Sequence, residues 1–128
     1  MFRLMLIFCT LSLAGCQLPA TSGSHLYARH CADCHGRDLR GGGALAPDLP
    51  IAPPDLTALS QGNGGVFPMV DVIAQIHGYP GRHHRGLMPE FAPELSSEPA
   101  TLTTTEGREL AVPTAILRIA QYLESQQQ

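Results

Sequence analysis

Fifteen residues open the chain with one Arg and then an apolar run, Leu4 to Phe8 followed by Leu11, Leu13 and Ala14, that ends in small residues. The run is too short to cross a bilayer and has the pattern of a secretory signal peptide. Beyond it the apolar positions become periodic. Leu26, Tyr27, His30, Cys31 and Cys34 recur at helical spacing and predict a first helix over residues 24–35, capped by Ser22 or Ser24. Asp55 or Thr57 can cap a short helix over 57–61. Val66, Val70, Ile73 and Ile76 or His77 form a stripe that predicts a helix over 66–77, with Pro68 in its first turn and Gly78 as its stop. Ile116, Ile119, Ala120 and Leu123 predict a final helix opened by Pro113. The connections lack periodicity. Gly36, Gly41 to Gly43, Pro47, Pro50, Pro53 and Pro54 mark one long loop, and the stretch from Gly78 to Pro89 marks another. Residues 103–105 are β-branched, Glu106-Gly107 can turn and residues 108–112 can return, so a small hairpin is expected near 101–112.

Composition adds a constraint. The chain has 128 residues, enough for one domain, yet only 5% are aromatic and none is Trp, while 13 are Gly and 11 are Pro. Such a chain needs a further source of core, and a buried apolar macrocycle would supply it. The net charge of −3 gives no sign of nucleic-acid binding. The glycine triplet is not a phosphate loop, because no strand precedes it and no Gly-Lys-Ser/Thr follows.

The leader ends in Leu13-Ala14-Gly15-Cys16, which resembles a bacterial lipobox. That resemblance implies residues 1–15 as a lipoprotein signal peptide and Cys16 as the lipidated first residue of the mature chain. Residues 16–23 then form a tether with a span of roughly 15 Å, followed by the domain at 24–128. Multiple acyl chains anchor stably. The expected location is outside the bacterial cytoplasm, on a membrane facing the periplasm or on the cell surface. Gln17, rather than Asp, after the lipidated Cys favours the outer membrane over the inner.

The candidate chemistry lies in Cys31-Ala32-Asp33-Cys34-His35, a C-x-x-C-H attachment signature for c-type haem. Two thiols on one turn can tether the two vinyl groups of one haem, and His35 can bind the iron from the same side. C-x-x-C alone also suits a redox dithiol or half of a zinc site. With Cys9 in the leader, Cys16 lipidated and Cys31 and Cys34 on haem, no structural disulfide is expected. The second axial ligand is expected to be Met88, in a loop beside Pro89, whereas Met69 falls inside the 66–77 helix and reads as core. His83 and His84 are its main rivals; His25 and His30 are poorly placed to cross the haem, and His77 ends a helix and reads as a cap or surface residue. His/Met ligation raises the reduction potential relative to His/His.

Over residues 23–125 the chain resembles the class I cytochromes c. The haem motif and Gly86-Leu87-Met88-Pro89 carry the resemblance together. Gly23 and Tyr27 look like the family's first-helix contact pair, with Ile119 and Tyr122 as partners on the last helix. Pro53-Pro54-Asp55-Leu56-Thr57 is similar to a segment of bacterial members. The resemblance implies an all-α cytochrome c fold, about four helices around one covalent haem c, with Gly/Pro loops and the small hairpin near 101–112. It also implies that the Pro47 carbonyl accepts the Nδ1 proton of His35 and so orients the ring. The chain departs from the usual pattern at residues 90–112, which lengthen the path from Met88 to the last helix.

The implied function is one-electron transfer, Fe(II)/Fe(III), by a membrane-anchored carrier with no catalytic residue of its own, working with redox partner proteins or as a subunit of a respiratory or dehydrogenase complex. The alternatives are a haem enzyme or small-ligand sensor with a displaceable sixth ligand, and a zinc module. Arg37, Arg40 and Arg82-His83-His84-Arg85 are expected near the haem face, with Glu90, Glu94, Glu98, Glu106, Glu109 and Glu124 behind, an asymmetry suited to an acidic redox partner.

Overall fold

The computed structural model describes residues 21–78 and 88–128. The leader, Cys16 and the basic loop Arg82-His83-His84-Arg85 lie outside the described residues.

Helix α1 spans Gly23–His30, and α2 spans Ala32–His35. The helix expected over 24–35 is therefore two pieces, because Cys31 adopts φ −121°, outside the helical region. The break is mild, since the Cys31 N–H still donates to the Tyr27 carbonyl at 2.9 Å. Ser22 is the cap, its Oγ accepting from the His25 N–H at 3.2 Å. Two 3₁₀ turns follow, Ala46–Asp48 and Leu56–Ala58, the second running into the short α3, Leu59–Gly62.

Helix α4 covers Met69–His77 and starts three residues later than its apolar stripe predicts. Pro68 occupies the cap position with ψ 64°, so the helix cannot extend back through it. Val66, 60% exposed, consequently falls off the buried face, which is made by Ile73, Ala74 and Ile76. Gly78 ends α4 in the left-handed region, φ 82°, its N–H donating to the Ala74 carbonyl at 3.0 Å.

The hairpin is present. Strand β1, Pro99–Thr103, pairs antiparallel with β2, Glu109–Pro113, in the register Ala100↔Val112 and Leu102↔Leu110. Its first strand lies earlier than the β-branched run predicts, because Thr104 to Arg108 form the turn, with Gly107 at φ 77°. Ala100, Leu102, Leu110 and Val112 alternate inward against the core.

Helix α5, Thr114–Ser125, is the centre of packing. Ile116, Ile119 and Ala120 are fully buried, and the helix lies against both α1 and α4. At its crossing with α1, Gly23 meets the Arg118 backbone, and the Tyr27 and Tyr122 rings stand 5.5 Å apart. Of the partners expected from the resemblance, Tyr122 meets both Gly23 and Tyr27, while Ile119 is fully buried on the same helix. Among the described residues the fold is mostly helical with one two-stranded sheet, consistent with the helical fold expected from the sequence. Among the described residues no helix is long and apolar enough to cross a membrane.

Candidate metal centre

The motif is held by backbone on both sides. The Cys34 and His35 N–H groups donate to the Cys31 carbonyl at 3.2 and 2.9 Å. A four-residue helix leaves its last carbonyls without internal partners. Here the glycine loop supplies them: Leu45, Gly43 and Gly41 N–H donate to Asp33, Cys34 and His35 at 2.8, 3.1 and 2.8 Å. The approach is so close that a Cβ on Gly43 would run into the Asp33 carbonyl. Across α1, the buried Tyr27 hydroxyl donates to the Gly36 carbonyl at 2.7 Å, fixing the turn out of the motif.

Cys31 is 9% exposed and belongs to the main apolar cluster; Cys34 is half-buried, and both thiols are free. Burial first, then the neighbouring Cys34, pushes the Cys31 thiol up to about 12. That is opposite to a redox dithiol, whose attacking cysteine needs a lowered pKa. Nor do three or more His, Cys, Asp or Glu side chains gather into a metal cluster among the described residues, as a zinc module would need.

His35 has its pKa pushed down by burial, opposed by the backbone carbonyl of Pro54. A ring kept neutral is the form that binds a metal. Its Nδ1 is buried and makes no well-aligned hydrogen bond among the described residues. The backbone carbonyl that acts on this ring is that of Pro54; Pro47 was the residue expected in that role. Pro47 is exposed, within the turn Ala46–Asp48. The chain returns instead at 53–56, clamped beside the motif by the Leu56 N–H to Leu39 carbonyl bond at 2.8 Å. Leu39 holds φ 66° to make this clamp, a costly conformation for a bulky residue, and is itself buried.

Met88 packs against the apolar cluster that contains Cys31. Its position is set by main chain: the Phe91 and Ala92 N–H groups donate to the Ile76 and His77 carbonyls at 3.1 and 3.3 Å. Gln75 Nε2 donates to Met88 Sδ at 3.9 Å. Met69, at the start of α4, packs on the same cluster, in line with its expected core role. His25 is exposed, while His30 sits edge-on to Phe91 with its Nδ1 3.9 Å from Glu94. His83 and His84 lie outside the described residues.

Two thiols and a half-buried imidazole share one turn, and a thioether packs on the same apolar cluster as Cys31, a set of side chains that suits a haem c centre. The family described as cytochrome C oxidase, cbb3-type, subunit III matches residues 19–102, well over half of the 128 residues. This chain belongs to that family. It is a monohaem c-type cytochrome domain, an electron carrier, and its cofactor is covalent haem c. The match ends within β1, so β2 and α5 lie beyond it. No curated protein and no solved structure matched the chain.

Sequence reasoning missed Pro54, Leu39 and Gln75. Pro54 stood in view as part of the Pro-Pro-Asp-Leu-Thr segment. Gln75 carried a local signal, as the one polar residue in Val72-Ile73-Ala74-Gln75-Ile76. Nothing local marks Leu39.

Proposed function

We propose that the chain is a membrane-anchored one-electron carrier whose haem is tethered by Cys31 and Cys34 and ligated by His35 and Met88. When bound, haem supplies the Fe(II)/Fe(III) couple. The chain's own residues do the rest. The Cys31–Cys34 turn fixes the point of attachment, the chain returning at 53–56 brings the Pro54 carbonyl to the His35 ring, and the backbone of α4 fixes the Met88 segment. The observation that carries the ligand set is this last one: Phe91 and Ala92 are hydrogen-bonded to the end of α4, which keeps Met88 on the cluster containing Cys31. Filling both axial positions leaves no open site for substrate, which favours a carrier over an enzyme.

Lipidation at Cys16 would hold the domain close to the membrane, facing the periplasm or the cell surface. Membership of the cbb3-type oxidase subunit III family favours work beside or within a terminal oxidase or related respiratory complex. The test is an optical spectrum of the haem-loaded protein, wild type and Met88→Ala. A low-spin His/Met spectrum that becomes high-spin or open to carbon monoxide in Met88→Ala is expected. An unchanged low-spin spectrum in the variant overturns the Met88 assignment, and ready carbon monoxide binding by the wild type supports the sensor alternative. For the anchor, Cys16→Ala should move the protein out of the membrane fraction.

A further inference from the structure

We infer that Gln75 tunes the redox centre: its side-chain amide donates to the Met88 thioether and thereby favours the reduced state. The inference rests on the proposal that Met88 ligates the iron. Gln75 Nε2 lies 3.9 Å from Met88 Sδ, within reach of a weak N–H to sulfur bond. Gln75 is half-buried between Ala74 and Ile76, both buried. A polar amide placed there costs free energy unless its donors find acceptors. An aliphatic side chain would serve that face better if packing were the only requirement. The pairing is not left to side-chain chance, because the main-chain bonds from Phe91 to Ile76 and from Ala92 to His77 fix the Met88 segment against the helix that carries Gln75.

The direction follows from charge. A thioether sulfur that gives one lone pair to a metal keeps another that can accept an N–H. That N–H draws electron density from the sulfur and sets the positive end of a dipole towards the centre. Both effects favour the form with one positive charge fewer. In a partly buried site such a dipole is screened less than in water. Gln75 is thus a positioning residue that acts through Met88.

The test uses haem-loaded protein, comparing wild type with Gln75→Leu by redox titration and by the sulfur-to-iron charge-transfer band of the ferric state. The expected result is a band retained but shifted. The equilibrium preference for the reduced form should fall roughly threefold, about 28 mV at 59 mV per tenfold for one electron. If the band persists unshifted and the potential does not move, even though thermal stability changes, the amide only packs and the inference is overturned. If the wild type itself lacks the band, Met88 is not the ligand and the preceding proposal fails first. Should Gln75→Leu yield no haem-loaded protein, Gln75→Met keeps the length and flexibility without the donor and is read by the same criteria.

Discussion

The Phe91 backbone N–H donates to the Ile76 carbonyl at 3.1 Å, so the segment after Met88 completes the open end of α4. Terminal helix carbonyls otherwise lack partners. Ala92→Pro removes the neighbouring donor to His77 and restrains Phe91 towards extended backbone. It should cost about 1–3 kcal/mol by denaturant unfolding. It should also loosen Met88 first: in the haem-loaded variant the sulfur–iron band should disappear at lower denaturant than the helical circular dichroism. Loss of both signals together would show that the segment is not separately anchored.

Gly23 faces backbone, not a yielding side chain. A Cβ there would run into the Arg118 carbonyl and stand 2.8 Å from Tyr122 Cβ. Gly23→Ala should push α1 away from α5 and destabilise by about 1–3 kcal/mol, the range for overpacking a tight contact. A thermal melt is sufficient. An unchanged midpoint would mean that the crossing has slack.

Ser97 caps a helix from outside its own turn. Its Oγ accepts the Ala115 N–H at 3.0 Å, while the Thr114 N–H and hydroxyl both donate to the Glu98 carbonyl, at 3.2 and 2.6 Å. Pro113, at the cap position of α5, offers no side-chain acceptor. Ser97→Ala should cost about 1 kcal/mol, as lost N-caps do, with the haem spectrum unchanged.

Asp55 gives the chain an acid-sensitive contact beside Pro54. Its Oδ1 accepts from the Thr57 hydroxyl at 2.6 Å and the Thr57 N–H at 2.8 Å, and Oδ2 accepts from Arg40 at 3.2 Å. The Thr57 bonds, aided by Arg40, hold its carboxyl below the ordinary Asp value. As pH falls, the unfolded chain therefore binds this proton first. The stabilisation is present above the ordinary Asp range and is lost as pH falls through the lowered folded value. Urea midpoints measured across the acid range should decline more steeply for wild type than for Asp55→Asn, which keeps a cap acceptor but does not titrate. Parallel curves would remove Asp55 from the acid response.

Local chemistry was legible in the sequence; non-local closure was much less so. Cys31, Cys34 and His35 are adjacent in the chain, so their shared turn follows from spacing alone. Ile116, Ile119, Ala120 and Leu123 define the buried face of α5 because a 3.6-residue period needs no partner to be read. The choice between Pro47 and Pro54 is different. It depends on where the loop returns, and that is set by the bond between Leu56 and Leu39 and by a positive φ that no pattern marks. The same holds for Val66, whose spacing fits the α4 stripe but which lies before the stop imposed by Pro68. The hairpin was visible in outline, while its first strand lies earlier because Thr104 serves the turn rather than the strand.

The capping of α5 by Ser97 and Glu98 also ties the start of that helix to the closing of the hairpin before it. The start of the most buried helix is defined by groups 16 to 18 residues upstream in the chain, so α5 on its own lacks part of what begins it. The hairpin between them is local, and local structure forms early and at little entropic cost. Once closed, it brings Ser97 and Glu98 to the first turn of α5, which can then reach back to α1 across nearly the whole domain. Residues 90–112, the stretch that lengthens the path from Met88 to the last helix, thus supply the local contacts from which the first turn of α5 is capped.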